Sequence, residues 1–228
     1  MAFLLAIEGA DGAGKATAAA ATVAVLADHG LSAAVVSFPR YTATVGGHAL
    51  GEFLAGRLPV ATTPQAAAVL YALDRLESRG HVEEVAATHD VVVFDRYIAS
   101  NIVYQAAKVA PEDAAAMRAW IVALETQQFA LPCPDLSIYL DTPQAVARTR
   151  IAMKAQRSYT DRTFDENEAD EALQRRVREG YAALAAGSLL GDWRTVSTVD
   201  GDASRTPAVI ASDIVAAVLP RLEPRPRA

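Results

Sequence analysis

Between an apolar run over residues 3–7 and an alanine-rich stretch of helical character that begins at Lys15 lies the segment Gly9-Ala10-Asp11-Gly12-Ala13-Gly14-Lys15. A strand-length run, a loop punctuated by glycine and then a helix leave a chain few ways to fold. Glycines let the backbone turn its N–H groups inward, the helix start adds the positive end of its dipole, and the lysine adds a long cation. That combination encloses phosphate oxygens, and G-x-x-x-x-G-K in this setting reads as a phosphate loop for a nucleoside triphosphate. Gly9, Ala10, Asp11, Gly12, Ala13, Gly14, Lys15, Ala16 and Thr17 are its expected contacts, with Lys15 reaching the terminal phosphates. One position departs from the pattern. The hydroxyl residue that holds magnesium directly after the lysine is replaced by Ala16, and Thr17 comes one place late. Magnesium is then expected on carboxylates and water, with Asp11 and Asp95 as candidates.

Further apolar runs over 33–38, 91–94, 136–140 and 194–199 predict four more strands. They are apolar throughout rather than at every second residue, so a parallel sheet covered on both faces is expected, in an α/β fold. Helices are expected over 15–29, 64–79, 100–108, 111–129, 143–157 and 168–186. Thr63 and Pro64 supply a capping hydroxyl and a proline at the first helical position, and Gly80 marks the expected end of that helix. At 228 residues, without a repeat or a long linker, the chain reads as one domain, 1–228. Its tail, 223–228, has almost nothing to bury and is expected to fray.

The balance of 27 acidic against 21 basic residues, net charge -6, argues against a general nucleic-acid or anionic-membrane binder. Any phosphate site must therefore be locally basic. The apolar opening lacks a basic start and meets Glu8 and the glycine loop too soon for a secretion signal, so it reads as a strand. No stretch approaches the roughly 20 apolar residues that span a bilayer. Cys133, the single cysteine, cannot form an intrachain disulfide, fits a reducing cytosol, and is expected to be a small buried apolar group.

Four more segments follow in order: Phe38-Pro39-Arg40-Tyr41, Tyr71-Ala72-Leu73-Asp74-Arg75, Asp95-Arg96-Tyr97, and Asn101 with Tyr104. With the glycine loop, and with Pro134-Asp135-Leu136 and Leu140-Asp141 around the fourth strand, they resemble the thymidylate kinase family, most closely its actinobacterial members. The resemblance covers nearly the whole chain. It implies a P-loop nucleoside monophosphate kinase fold with a five-stranded parallel sheet flanked by helices, a short lid, a cytoplasmic homodimer, and transfer of the γ-phosphoryl group of ATP to dTMP with magnesium, giving dTDP.

The residues agree with that implication. Tyr71 and Arg75, four apart on a helix, present a ring beside a guanidinium. In the family a ring at this place, more usually phenylalanine, covers thymine, and the arginine helps hold the base. Arg40 and Arg96 are expected on the acceptor phosphate, which their planar forks match. The resemblance adds Phe38 and Asp11 to the dTMP site, an amide from Asn101 on the thymine edge, and Tyr104 where a ribose 2'-hydroxyl would sit. None of the residues between Gly9 and Gly14 is basic, so the charge that stabilises the transferred group must come from elsewhere. The stretch 148–168 matches the family lid and carries Arg148, Arg150, Lys154, Arg157 and Arg162. Arg157 and Arg162 are the expected catalytic arginines beside Lys15, Arg96 and Asp11; Arg150 and Lys154 are expected at ATP, and Glu168 near the metal. Two other classes share the donor loop. A deoxynucleoside kinase needs no arginine cluster for an acceptor phosphate and usually has serine in place of Tyr97; a switch GTPase carries Asn-Lys-x-Asp, which is absent here.

Overall fold

Apolar strands must be covered on both sides, and the computed structural model, which describes residues 1–153, 170–201 and 203–222, shows how. Strands β1 (Phe3–Glu8), β2 (Ala33–Ser37), β3 (Val91–Asp95), β4 (Leu136–Asp141) and β5 (Asp192–Ser197) form a parallel sheet in the order β2-β3-β1-β4-β5. Side chains alternate between its faces. Leu5, Ile7, Val91 and Val93 enter one core with Ala18, Ala19 and Leu26 of α1 (Lys15–Asp28) and Ile210, Ile214 and Val218 of α9 (Pro207–Val218). Ala6, Val92 and Phe94 enter the other with Ile98 and Ile102 of α5 (Ile98–Ala106), Met117 and Ile121 of α6 (Ala114–Val122), and Leu173 and Val177 of α8 (Glu171–Ala186). The remaining helices are α2 (Val45–Leu54), α3 (Pro64–Glu77), α4 (Arg79–Thr88) and α7 (Gln144–Ala152). A short antiparallel pair, β6 (Val199–Asp200) and β7 (Ala203–Ser204), follows β5.

Local chemistry sets the helix starts. Thr63 accepts from Ala66 N at 3.1 Å ahead of Pro64, as expected, and Thr44, Asp170 and Thr206 cap α2, α8 and α9 in the same way. Because all five strands run in parallel, their carboxyl ends lie along one edge of the sheet. Glu8, Ser37, Asp95 and Asp141 therefore end together, and the segments that follow them share one side of the molecule.

Several expectations need correction. Gly80 does not end a helix but lies inside α4, which was not expected, nor were α2 and α9. The break falls at Ser78, whose Oγ turns back to Asp74 O at 2.7 Å. The helix expected over 111–129 starts at Ala114 and widens into a π-helical turn over Ala123–Gln128. β5 begins two residues earlier than its apolar run suggested. Cys133 is exposed, because it sits between Pro132 and Pro134 on the approach to β4 rather than in either core. The expected lid beyond residue 153, with Lys154, Arg157, Arg162 and Glu168, and the tail 223–228 lie outside the described residues.

Candidate active site

The loop after β1 closes tightly. Gly12 adopts φ +75, and a Cβ there would meet Ala147 O of α7 at 2.2 Å, so glycine is required by backbone angle and by space. Gly14, at φ 93, begins α1 without a side-chain cap, which leaves the first N–H groups of that helix for a ligand. Lys15 is buried, and its Nζ donates to Gly9 O at 2.9 Å and Ala10 O at 2.8 Å. Burial, and then the charge of Arg96, pull its pKa down to about 7 despite Asp11 nearby. Arg150 of α7 reaches over the loop and donates to Ala13 O at 3.1 Å. Ala16 and Thr17 are both exposed on the first turn of α1.

Asp11, in the same loop, binds a second cation. Its Oδ1 pairs with Arg96 Nη2, and its Oδ2 accepts from Gln174 Nε2 of α8 at 2.9 Å. Burial alone would raise its pKa; the charges of Arg96 and Lys15 prevail and hold the carboxyl below the usual range. Arg96 has φ 67, a left-handed backbone that turns the chain sharply after β3. Its guanidinium lies over the Tyr104 ring at 5.4 Å, and its Nη1 donates to Ser100 Oγ at 3.3 Å. Beneath it the buried carboxylate of Glu8 accepts from Tyr97 N at 2.8 Å, Ser100 N at 3.3 Å, Ser100 Oγ at 2.6 Å and Tyr181 OH at 3.0 Å. One acid thus serves as cap for the start of α5 and as anchor for the residue that holds Arg96.

The segment after β2 adds a second arginine. Phe38 packs on Phe94 and Tyr97, whose own rings stack 4.2 Å apart, and Arg40 N donates to the buried Asp74 Oδ2 at 3.0 Å. Arg40's guanidinium makes no hydrogen bond or ion pair among the described residues. Asp95 is half-buried at the end of β3, and its carboxylate is likewise uncommitted among the described residues.

Arg75 is not a solvated helix residue. It is buried, and its Nε and Nη2 grip Glu125 at 2.6 and 2.5 Å. Glu125 is fully buried in the π-helical turn and also accepts from Asn101 Nδ2 at 2.7 Å. The other hydrogen of that amide goes to Ala68 O of α3 at 3.0 Å. Asn101 Oδ1 is buried without a partner among the described residues. Such an orphan costs about 1–3 kcal/mol, a cost that a bound ligand with a matching group removes. Tyr71, half-buried one turn ahead of Arg75 on α3, completes this side.

A loop built to wrap a triphosphate thus stands against Arg96, whose guanidinium in turn lies over Tyr104, the layout of a site with a donor and an acceptor. Residues 7–195 match the family model described as thymidylate kinase. The chain belongs to the thymidylate kinase family. It is 36% identical over 209 residues to the thymidylate kinase of Mycobacterium tuberculosis strain H37Rv, covering 91% of this chain and 97% of that one. The thymidylate kinase of Thermomicrobium roseum is 31% identical over 224 residues, covering 96% and 95%. A solved thymidylate kinase from Candida albicans superposes with a TM-score of 0.73 at 20% identity, over 96% of this chain and 92% of that chain, which supports the fold. Members of the thymidylate kinase family are phosphotransferases, and so is this chain.

Of the residues expected at a thymidylate kinase site, the structure gathers Gly9 to Lys15, Arg150, Arg96, Asp11 and Tyr104 through direct contacts, links Asn101 to Arg75 through Glu125, and joins Arg40 to α3 through Asp74. Glu8, Ser100, Glu125 and Gln174 were missed. A signal existed for Glu125, since Met117, Ile121 and Glu125 fall four apart on one helical stripe and the third member is an acid. Nothing in the sequence ties Gln174 to Asp11, 163 residues away.

Proposed function

We propose that this phosphotransferase moves the γ-phosphoryl group of ATP to dTMP, giving dTDP and ADP for dTTP synthesis. The observation that carries this reading is Arg96, held by Asp11 at the edge of the phosphate loop, because a second fixed cation there suits an acceptor that already bears a phosphate. Lys15 exchanges its two loop carbonyls for the donor phosphates, and Arg150 lies against the donor. Arg40 joins Arg96 on the acceptor phosphate. Tyr71 and Phe38 flank the base, Arg75 and Asn101 its edge, and Tyr104 fills the space of a 2'-hydroxyl. Lid residues Lys154, Arg157 and Arg162 supply the remaining positive charge.

Among the described residues no three of histidine, cysteine, aspartate and glutamate converge as a metal cage. Magnesium that keeps its waters and binds substrate phosphates needs only one or two carboxylates, so Asp95 fits it, whereas both Asp11 oxygens are engaged by cation and amide. Glu168 is the further candidate. When bound, the ion would neutralise charge on the donor phosphates. We read the chain as one catalytic domain, 1–228, that pairs with a second copy; exposed Val45, Val69 and Trp120 on α2, α3 and α6 offer apolar surface for it. No described helix is long and apolar enough to cross a membrane, and a cytoplasmic site suits the substrates.

The test is ATP consumption with dTMP, with thymidine and with no acceptor, repeated with Arg96→Ala and Arg40→Ala. Turnover with dTMP alone is expected, and each variant should lose about 1.5–3 kcal/mol of dTMP affinity by calorimetry. Thymidine as the better acceptor, or unchanged affinity in both variants, defeats the reading.

A further inference from the structure

The acid in the π-helical turn has no assigned part in phosphoryl transfer, yet it is fully buried between Arg75 and Asn101. We infer that Glu125 is a positioning residue that sets base specificity: it locks the Asn101 amide so that only the oxygen is free, and thereby selects pyrimidines that carry a proton on N3 over cytosine. This rests on the proposed placement of a base against Asn101.

An asparagine amide can turn over, exchanging donor for acceptor, unless its surroundings forbid it. Here they do. Both Nδ2 hydrogens are taken, one by Ala68 O at 3.0 Å and the other by Glu125 Oε1 at 2.7 Å. A backbone carbonyl and a carboxylate accept and never donate, so a turned amide would set its oxygen against two others and lose both bonds. Glu125 cannot yield either, because Arg75 clamps it through Nε and Nη2 at 2.6 and 2.5 Å. The π-helical turn matters for register. It continues the buried stripe of Met117 and Ile121 into the acid, and such turns often mark functional positions.

The outcome is a buried Oδ1 that is orphaned among the described residues, an acceptor with no donor there. Thymine and uracil present N–H at N3 and complete it. Cytosine presents a lone pair at N3 and meets oxygen with nitrogen, acceptor against acceptor. A site built to complete a hydrogen bond rejects the analogue that lacks it far more strongly than a merely apolar pocket rejects a misfit.

Glu125→Gln keeps the size but gives this half of the lock a donor as well as an acceptor, so that Ala68 O alone still opposes a turned Asn101 amide. Steady-state kinetics with dTMP and dCMP are compared for the unaltered enzyme, Glu125→Gln and Asn101→Ala. The ratio of kcat/KM for dTMP over dCMP is expected to fall at least tenfold in Glu125→Gln, mostly through KM, with kcat at saturating dTMP within about threefold. General loosening of the fold would lower both substrates together and leave the ratio alone. An unchanged ratio in Asn101→Ala overturns the base placement itself; a collapsed ratio there with an unchanged one in Glu125→Gln overturns only the lock. Should Glu125→Gln fail to fold, the unaltered enzyme still decides. Labelled with 15N-asparagine and free of substrate, it should show the two Asn101 amide protons as separate signals slow to exchange with water, and rapid exchange refutes the lock.

Discussion

Donor binding should draw a proton from solution, and Lys15 is the group that takes it. In the ligand-free protein its pKa lies at about 7, pulled down by burial and then by Arg96. A triphosphate places several negative charges within reach of the same ammonium and returns it toward the ordinary lysine range near 10.5. At pH 8 the free protein holds this proton in about one molecule in ten and the complex in nearly all, an uptake of ~0.9 proton; at pH 6 the uptake falls to ~0.1. Uptake on binding means that affinity weakens as pH rises, by about tenfold per unit above pH 7. Between about pH 7 and 10.5 the unfolded chain holds a proton at this lysine that the folded one lacks. The ligand-free fold therefore gains up to ~1.4 kcal/mol per pH unit across that window from this group, and none below it. Calorimetry with a non-hydrolysable ATP analogue at pH 8, in buffers of differing ionisation enthalpy, reads the uptake directly, with Lys15→Met as the control that takes up none. An uptake below about 0.3 proton at pH 8 refutes the reasoning, since Lys15 would then be charged before the donor arrives.

Gly12→Ala should destabilise the fold by roughly 2–4 kcal/mol, the sum of a left-handed backbone and forced overpacking against Ala147 O at 2.2 Å; urea unfolding with a midpoint like the parent's would contradict this. Arg157→Ala should lower kcat by on the order of 10³ with a smaller change in KM for dTMP, the mark of a contact made mainly in the transition state. Near-normal kcat in Arg157→Ala, in Arg162→Ala and in the double variant would exclude a lid arginine.

Legibility in the sequence followed the range of the interaction. The five strands and the phosphate loop rest on short apolar runs and on glycines at fixed spacing, and the structure places them in one parallel sheet with the loop after its central strand. α9 was readable in principle, because Thr206 and Pro207 repeat the start found at Thr63 and Pro64. The joint at Ser78 was not, since nothing distinguishes a serine that turns back on Asp74 from one that faces water. Asn101 and Arg75 were named, but their neighbour Glu125 was not, although it decides which of their atoms are free. The pairing of Gln174 with Asp11, 163 residues apart, left no spacing to detect.

Glu8 joins two things that chemistry needs apart. It is the last residue of the strand that launches the phosphate loop, and its carboxylate grips the start of the helix that follows Arg96. Loop and Arg96 are therefore tied to one residue at the end of the central strand, and in the proposed transfer the gap between donor and acceptor is cut before either nucleotide arrives. On the proposed reading no closing motion need bring the two phosphates into range. The rigid body does that, much as a jig holds two workpieces at a set spacing while the tool comes down.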